Sequence, residues 1–554
     1  MTIKAEELTL GGQLARAVAM RSDGEALVYD GRRASWAELQ EQVIERARSL
    51  IGLGVRPGDH VGLLMPNCYD YVVLYYAINL IGGVAVLLNA RYRADDLAYV
   101  IPKANIRVLI IGGQQWQHCD YRPLLQRILP GLAAWRGGPL QLPEASALDL
   151  LVELGDQRPG QWPADEAFTA AALGVDRAEV LALAATVSPD QIGLLIFSSG
   201  TTAHPKACML NHRSLALTGA ALAERFELTG QDVIWDPLPL FHMSTILPLA
   251  ACRASGACFI GMGYFEADSA MALLIKERPT VHYAGFPAII GALISHPQFA
   301  AYDQSRLRIN HVVGPPDLLR RYAGHFPGAV PVNSYGLTEA SGVPCYSRLD
   351  EERALLFTTN GHLFDGMEAK IIDDEGHEVA EGQAGEICLR GFAIFPGYYD
   401  DADATAKAVD AEGWLHTGDL GSRAPGGRLV YSGRLKDMLK IGGENVAAIE
   451  LESFLMTHPA IRMAQVIGVP DERLMEVAAV FIELEPGQRL RGQEVVAYCL
   501  DRIASYKIPR YVRFVESWPM SATKVQKFQL RQGFIPTGRI EPKLLRREAP
   551  SPVC

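Results

Sequence analysis

Four short apolar runs, HVGLLM at 60–65, VAVLLN at 84–89, RVLIIG at 107–112 and IGLLIF at 192–197, are separated by longer stretches with helical patterning. Such runs read as buried strands, and strands alternating with helices predict parallel sheets covered by helices. At 554 residues the chain exceeds one ordinary core, so roughly three or four units are expected. The longest apolar stretch, YVVLYYAINLIGGVAVLLNA at 71–90, approaches the length of a membrane span. Asn79, the Gly82-Gly83 pair and Asn89 divide it into a short helix, a turn and a strand, so a buried core is expected instead.

Residues 138–190, rich in Pro, Gly, Ala and Asp, read as an excursion between two sheets. From about 370 the texture changes to short strands and turns, AKIIDDEG, GEICLRG and GRLVYSGR, which predict a β-rich subdomain. Past a boundary near Gly433, helical NVAAIELESFLMTHP and VVAYCLDRI alternate with the strands AQVIGVP, VAAVFIEL and YVRFVES. This last segment predicts a compact α/β lid.

A net charge of −11 excludes a surface built to coat nucleic acid, so an anionic ligand must be held by local basic groups. Nine cysteines, with no CxxC spacing and an odd total, spell neither a disulfide framework nor a zinc site. They predict reduced, mostly buried thiols in a cytoplasmic protein. The N-terminal MTIKAEELTLGGQLARAV carries two glutamates where a signal peptide needs an apolar centre, so export is not expected.

Three segments offer phosphate and sugar chemistry. SSGTTAHPKA at 198–207 follows a strand with small and hydroxyl residues, whose N–H and O–H groups suit phosphate oxygens, and it adds Lys206. Pro205 and Ala207 break the Walker A pattern, and an ordinary strand-to-turn connection is the alternative. VNSYGLTEASG at 332–342 sets Thr338 and Glu339 beside a glycine turn, either as a magnesium carboxylate or as a capped helix start. GWLHTGDLG at 413–421 places Asp419 where it would accept two ribose hydroxyls, or simply close a β-turn.

Taken in order with GEICLRG, SGRLKDMLKIGGENVAAIELE at 432–452, GVPDERLMEVAAVF at 468–481, YKIPRYVRFV at 506–515 and ATKVQKFQL at 522–530, these segments resemble the adenylate-forming superfamily. That superfamily includes acyl-CoA synthetases, firefly luciferase and the adenylation domains of peptide synthetases. The resemblance spans nearly the whole chain. It implies an α/β fold: a large N-terminal domain, 1–433, of two sheet-and-helix subdomains and a β-rich subdomain at about 345–433. A small mobile C-terminal α/β lid, 434–554, would turn on a hinge at 434–437.

The resemblance also implies roles. Ser198, Ser199, Gly200, Thr201, Thr202 and Lys206 would hold the β and γ phosphates of ATP. Asn333, Ser334 and Tyr335 would wall the adenine, with Gly314 and Pro315 cradling it and Thr338 near the α-phosphate. Glu339 would place Mg²⁺, Asp419 and Arg434 would hold the ribose, and Lys436 would be the hinge residue. Lys524 is similar to the family's catalytic lysine, an ammonium that bridges a carboxylate and the α-phosphate as the two anions approach; Lys527 is the nearest alternative. Gly442 and Gly443 would line the passage for the pantetheine arm of CoA.

The chain departs from the family pattern at Ala203 and Ala207, where glycine is usual, at Thr523 before the lysine, and in VVGPPD at 312–317. An alanine forced into a left-handed conformation would cost about 1–2 kcal/mol, so a stiffer phosphate loop is expected. His242, in FHMS, stands where amino-acid-activating relatives carry an aspartate, so the acid is expected not to be an amino acid. His242 would instead gate the passage between acyl pocket and CoA, with Tyr283, Gly285, Phe286, Gly336 and Ala340 lining a pocket without a second basic group. The expected reaction makes a hydrophobic acyl-CoA, AMP and pyrophosphate from a monocarboxylic acid, ATP and CoA. Loading of a separate acyl carrier protein and a catalytically inactive nucleotide- or acyl-binding relative are the alternatives. A homodimer is left open, and neither a nucleic-acid partner nor an integral membrane segment is expected.

Overall fold

The computed structural model describes residues 5–112, 120–135, 138–155, 165–198, 205–441, 444–500, 502–520 and 525–542. By internal contacts the chain divides into two compact units, residues 1–369 with 389–416, and residues 370–388 with 417–554.

The first unit holds two seven-stranded sheets. In one, Leu150–Leu154, Val108–Gly112, His60–Leu64, Val84–Leu87 and Ile192–Ser198 lie side by side and parallel. All four apolar runs named above are among these strands. The sheet ends in two antiparallel strands, Lys206–Asn211 and the two-residue Gly397–Tyr398. Its sister sheet runs Val330–Val332, Ile309–Val312, Val281–Gly285, Val233–Asp236, Cys258–Gly261 and Glu25–Tyr29 in parallel, with Arg32–Ser35 antiparallel at the edge.

The long apolar stretch folds as its punctuation predicts. A helix spans Tyr69–Leu80, Gly82 turns the chain at φ +75°, and a strand follows over Val84–Leu87. Every residue of the helix after Asp70 is buried, which explains why its apolar residues show no preferred face. Among the described residues no helix is long and apolar enough to cross a membrane. The supposed excursion at 138–190 contributes more than a connection, because Leu150–Leu154 adds a parallel edge strand whose Leu151 enters the sheet's core.

The second unit contains a five-stranded sheet ordered Glu444–Ala447, Met438–Ile441, Met475–Leu484, Ile461–Asp471, with Tyr511–Phe514 parallel to Met475–Leu484. Apolar residues of both its faces form cores, Leu439 to Val512 on one and Ile467, Val469, Phe481, Tyr511 and Leu530 on the other. The β-rich segment forms a four-stranded sheet of Met367–Ile372, Gly385–Gly391, Leu415–Ala424 and Arg428–Arg434, and the division between units runs through three of these strands. Cys68, Cys208, Cys252, Cys258, Cys345, Cys388 and Cys499 are buried free thiols.

Candidate active site

The hydroxyl-rich stretch joins two antiparallel strands. Ile192–Ser198 enters it and Lys206–Asn211 leaves it, with Ser198 opposite Lys206 in the register. Ser199, Gly200, Thr201, Thr202 and Ala203 lie outside the described residues. Ala207 lies opposite Phe197 in the ladder and has no positive φ, so it requires no left-handed backbone and stiffens nothing by that route. Lys206 is half-buried, and its ammonium sits 4.7 Å from the centre of the Tyr398 ring.

Glu339 reaches the same tyrosine from the other motif. The strand Ser334–Leu337 leads into a short 3₁₀ turn, Thr338–Ala340, and returns through Ser341 at φ +51° and Gly342 at φ +103°. A side chain on Gly336 would put its Cβ 2.1 Å from the Gly342 carbonyl oxygen, so this reversal requires glycine there. The turn leaves Glu339 half-buried, where its Oε1 accepts the Tyr398 hydroxyl at 2.8 Å. Burial, and then the Glu339 charge, push the Tyr398 phenol well above its ordinary range, which keeps it a hydrogen-bond donor. Burial and Glu339 raise the Cys208 thiol too. Glu339 forms no ion pair with any described residue.

The residues expected to wall the adenine are held from behind. Asn333, Ser334 and Tyr335 are buried. Asn333 donates to the Thr359 carbonyl at 3.0 Å, and the Ser334 hydroxyl lies 2.8 Å from His311 Nε2. His311 stacks on Tyr283 at 4.3 Å, and burial lowers its pKa to about 3, so it stands neutral. Tyr283, expected in the acyl pocket, is 1% exposed, and its hydroxyl meets that of Tyr346 at 2.5 Å. Ala340 is also fully buried. Gly285 turns at φ +67° just before Phe286, which precedes the helix Pro287–Ile294. Gly314 and Pro315 lead into the helix Pro316–Ala323.

His242 is half-buried and immediately precedes the helix Met243–Ser255, its ring 4.9 Å from that of Phe241. That helix meets the glycine turn: a Cβ on Gly342 would contact Met243 at 3.3 Å.

In the second unit, Asp419 and Arg434 are partners across the hairpin Leu415–Ala424 and Arg428–Arg434, joined by a 3.0 Å ion pair. Lys436 lies in the 3₁₀ turn Leu435–Asp437, directly after Gly433 at φ +131° and Arg434. Asp437 is paired with Arg531 at 2.9 Å. Gly442, Gly443 and Lys524 lie outside the described residues. Lys527, the alternative lysine, is half-buried with its ammonium 2.6 Å from buried Glu452. Neither Tyr398, His311 nor Glu452 stands out in the sequence; the only signal for Tyr398 is a glycine before it in FPGYY.

Residues 14–399 match the AMP-binding enzyme family, and residues 450–524 match the AMP-binding enzyme C-terminal domain. A Mycobacterium tuberculosis protein named 3-[(3aS,4S,7aS)-7a-methyl-1,5-dioxo-octahydro-1H-inden-4-yl]propanoyl:CoA ligase is 35% identical over 530 residues, covering 95% of this chain and 98% of the relative. The mitochondrial medium-chain acyl-CoA ligase ACSF2 of Homo sapiens is 30% identical over 535 residues, 94% of this chain and 87% of the relative. The crystal structure of the anthranilate CoA ligase AuaEII with anthranoyl-AMP superposes with a TM-score of 0.82 at 26% identity, covering 96% of this chain and 98% of that one. With the motifs in order, the α/β architecture and a family match over most of its length, this chain belongs to the AMP-binding enzymes.

Proposed function

We propose that this protein activates a hydrophobic monocarboxylic acid with ATP, releasing pyrophosphate, and then transfers the acyl group from acyl-AMP to CoA, releasing AMP. The observation that carries the reading is the convergence of Lys206 and Glu339, from distant motifs, on opposite parts of Tyr398. An ammonium and a carboxylate kept close without pairing suit a polyanion that arrives with a metal ion. Relatives named as CoA ligases favour free CoA over a carrier protein as acceptor.

Glu339 fits a hard cation: it offers carboxylate oxygen, is half-buried, and is held by a neutral hydroxyl instead of a competing cation. Magnesium bound there supplies positive charge to the triphosphate oxygens. Lys206 holds the outer phosphates, and Tyr335 with Asn333 and Ser334 walls the base. Asp419 accepts the ribose hydroxyls while Arg434 fixes its orientation. Lys524 bridges the attacking carboxylate and the α-phosphate. The tie between Lys527 and Glu452 supports this choice of lysine, since leaving would strand a buried charge.

For the second step, a turn about 434–437 removes Lys524 and brings the Gly442-Gly443 loop to the thiol's path. Ala340, Gly336, Gly285 and Phe286 bound the acyl side, with His242 at its passage to CoA. Tyr283 supports that wall through its packing. We place the reaction in the cytoplasm.

Asp419→Ala is expected to raise KM for ATP by about tenfold to a hundredfold, from losing one or two charge-assisted hydrogen bonds, with kcat changed much less. Steady-state kinetics over a range of ATP concentrations checks this, and an unchanged KM would remove Asp419 from the nucleotide site. The reaction itself is tested by mass spectrometry across a panel of fatty, arylalkanoic and steroid side-chain acids with ATP, Mg²⁺ and CoA. Acid-dependent loss of free thiol with a matching acyl-CoA supports the proposal. Acyl-adenylate made without thiol consumption would point to a carrier protein as acceptor, and ATP binding without turnover would point to an inactive relative.

A further inference from the structure

Tyr398 is placed by its backbone with little freedom. Gly397–Tyr398 forms a short antiparallel strand on the outer edge of Lys206–Asn211, with Tyr398 opposite Cys208. The next residue's N–H donates to the Ala207 carbonyl at 2.8 Å, and the Tyr398 N–H donates to the Thr405 hydroxyl at 2.9 Å. Gly397 sits at φ +143°, and a Cβ there would lie 2.6 Å from Thr405 Cγ2, so the approach requires glycine. The same segment grips the glycine turn, because the Phe395 N–H donates to the Glu339 carbonyl at 2.9 Å and the Phe395 ring packs edge-on against Tyr398 at 4.8 Å.

The tyrosine's two ends meet opposite charges. Its hydroxyl donates to Glu339 Oε1, and its ring face lies under the Lys206 ammonium. A neutral donor orients a carboxylate without cancelling its charge. A ring face holds a cation more weakly than a carboxylate would, so the cation can leave for a phosphate. A direct Lys206–Glu339 ion pair would neutralise both groups, and none forms. We infer that Tyr398 is a positioning residue that keeps Glu339 and Lys206 separated and aimed at a metal-bound triphosphate. The inference rests on the proposed function of this site.

Calorimetric titration of the full chain with ATP, without acid or CoA, in magnesium and again in EDTA, separates the two contacts. Tyr398→Phe keeps the ring and loses the hydroxyl. It is expected to weaken Mg·ATP binding about tenfold while metal-free ATP binding changes by less than about twofold. Tyr398→Leu also loses the ring face and is expected to weaken both. A Tyr398→Phe protein whose two affinities are unchanged, or fall by the same factor, overturns the inference, because loose packing has no reason to single out the metal complex. Glu339→Gln supplies a second route: it should abolish the preference for Mg·ATP, and adding Tyr398→Phe should then change that preference no further. Additive losses would overturn the inference as well. Wild-type protein that binds neither form of ATP would defeat the reading of the site itself, whereas normal wild-type binding with an indifferent Tyr398→Phe would defeat only the role of Tyr398.

Discussion

Lys524→Ala is expected to slow acyl-adenylate formation by roughly 10²- to 10³-fold, while thioester formation from a supplied acyl-adenylate stays within about twofold. The large factor arises because carboxylate and α-phosphate are both anions, and a preorganised ammonium is the one group proposed to bridge them as they close. The acyl-adenylate has already passed that barrier, so its reaction with CoA does not need the lysine. The neighbouring Lys527 does not replace it, being held 2.6 Å from buried Glu452 of the same unit. Single-turnover assays of each half-reaction measure the split. Equal loss in both halves would contradict the assignment. Lys527→Ala should instead lower the melting temperature, since it leaves Glu452 buried without its cation.

Lys436→Pro is expected to do the reverse. Its position follows the left-handed Gly433 and lies in a short 3₁₀ turn, where the proposed hinge would concentrate its backbone rotation in few residues. Proline fixes φ near −65° and restricts Leu435 before it, so a lid turning there would be held in one pose. Adenylation should stay near wild type, and transfer to CoA should fall on the order of tenfold or more, ~1.4 kcal/mol in the barrier. Pre-steady-state traces with CoA should then show acyl-adenylate accumulating. Undiminished thioester formation would count against a hinge at Lys436.

The parallel strands were legible because their faces are both buried, which leaves uninterrupted runs such as RVLIIG. The helix, turn and strand within 71–90 were legible from Gly82 and Gly83. The strand Leu150–Leu154 was masked by its surroundings, rich in Pro, Gly and Asp, although its own LLVEL is apolar. Tyr398 was not legible: a two-residue strand has no period, and its pairing with Cys208 joins positions far apart in the chain. The stiffening expected at Ala207 failed for a related reason, since the residue lies inside a strand that already begins at Lys206, within the stretch the loop pattern covers. Motifs single out the groups proposed to touch ATP. They gave no sign of the groups that hold them, such as His311 behind Ser334.

Activation through an acyl-adenylate is read from the products formed from ATP, Mg²⁺ and an accepted acid when CoA is withheld. The expected result is acid-dependent pyrophosphate release with one enzyme-bound acyl-AMP per site, converted to acyl-CoA and AMP when CoA is added. ADP and phosphate in place of AMP and pyrophosphate would contradict it.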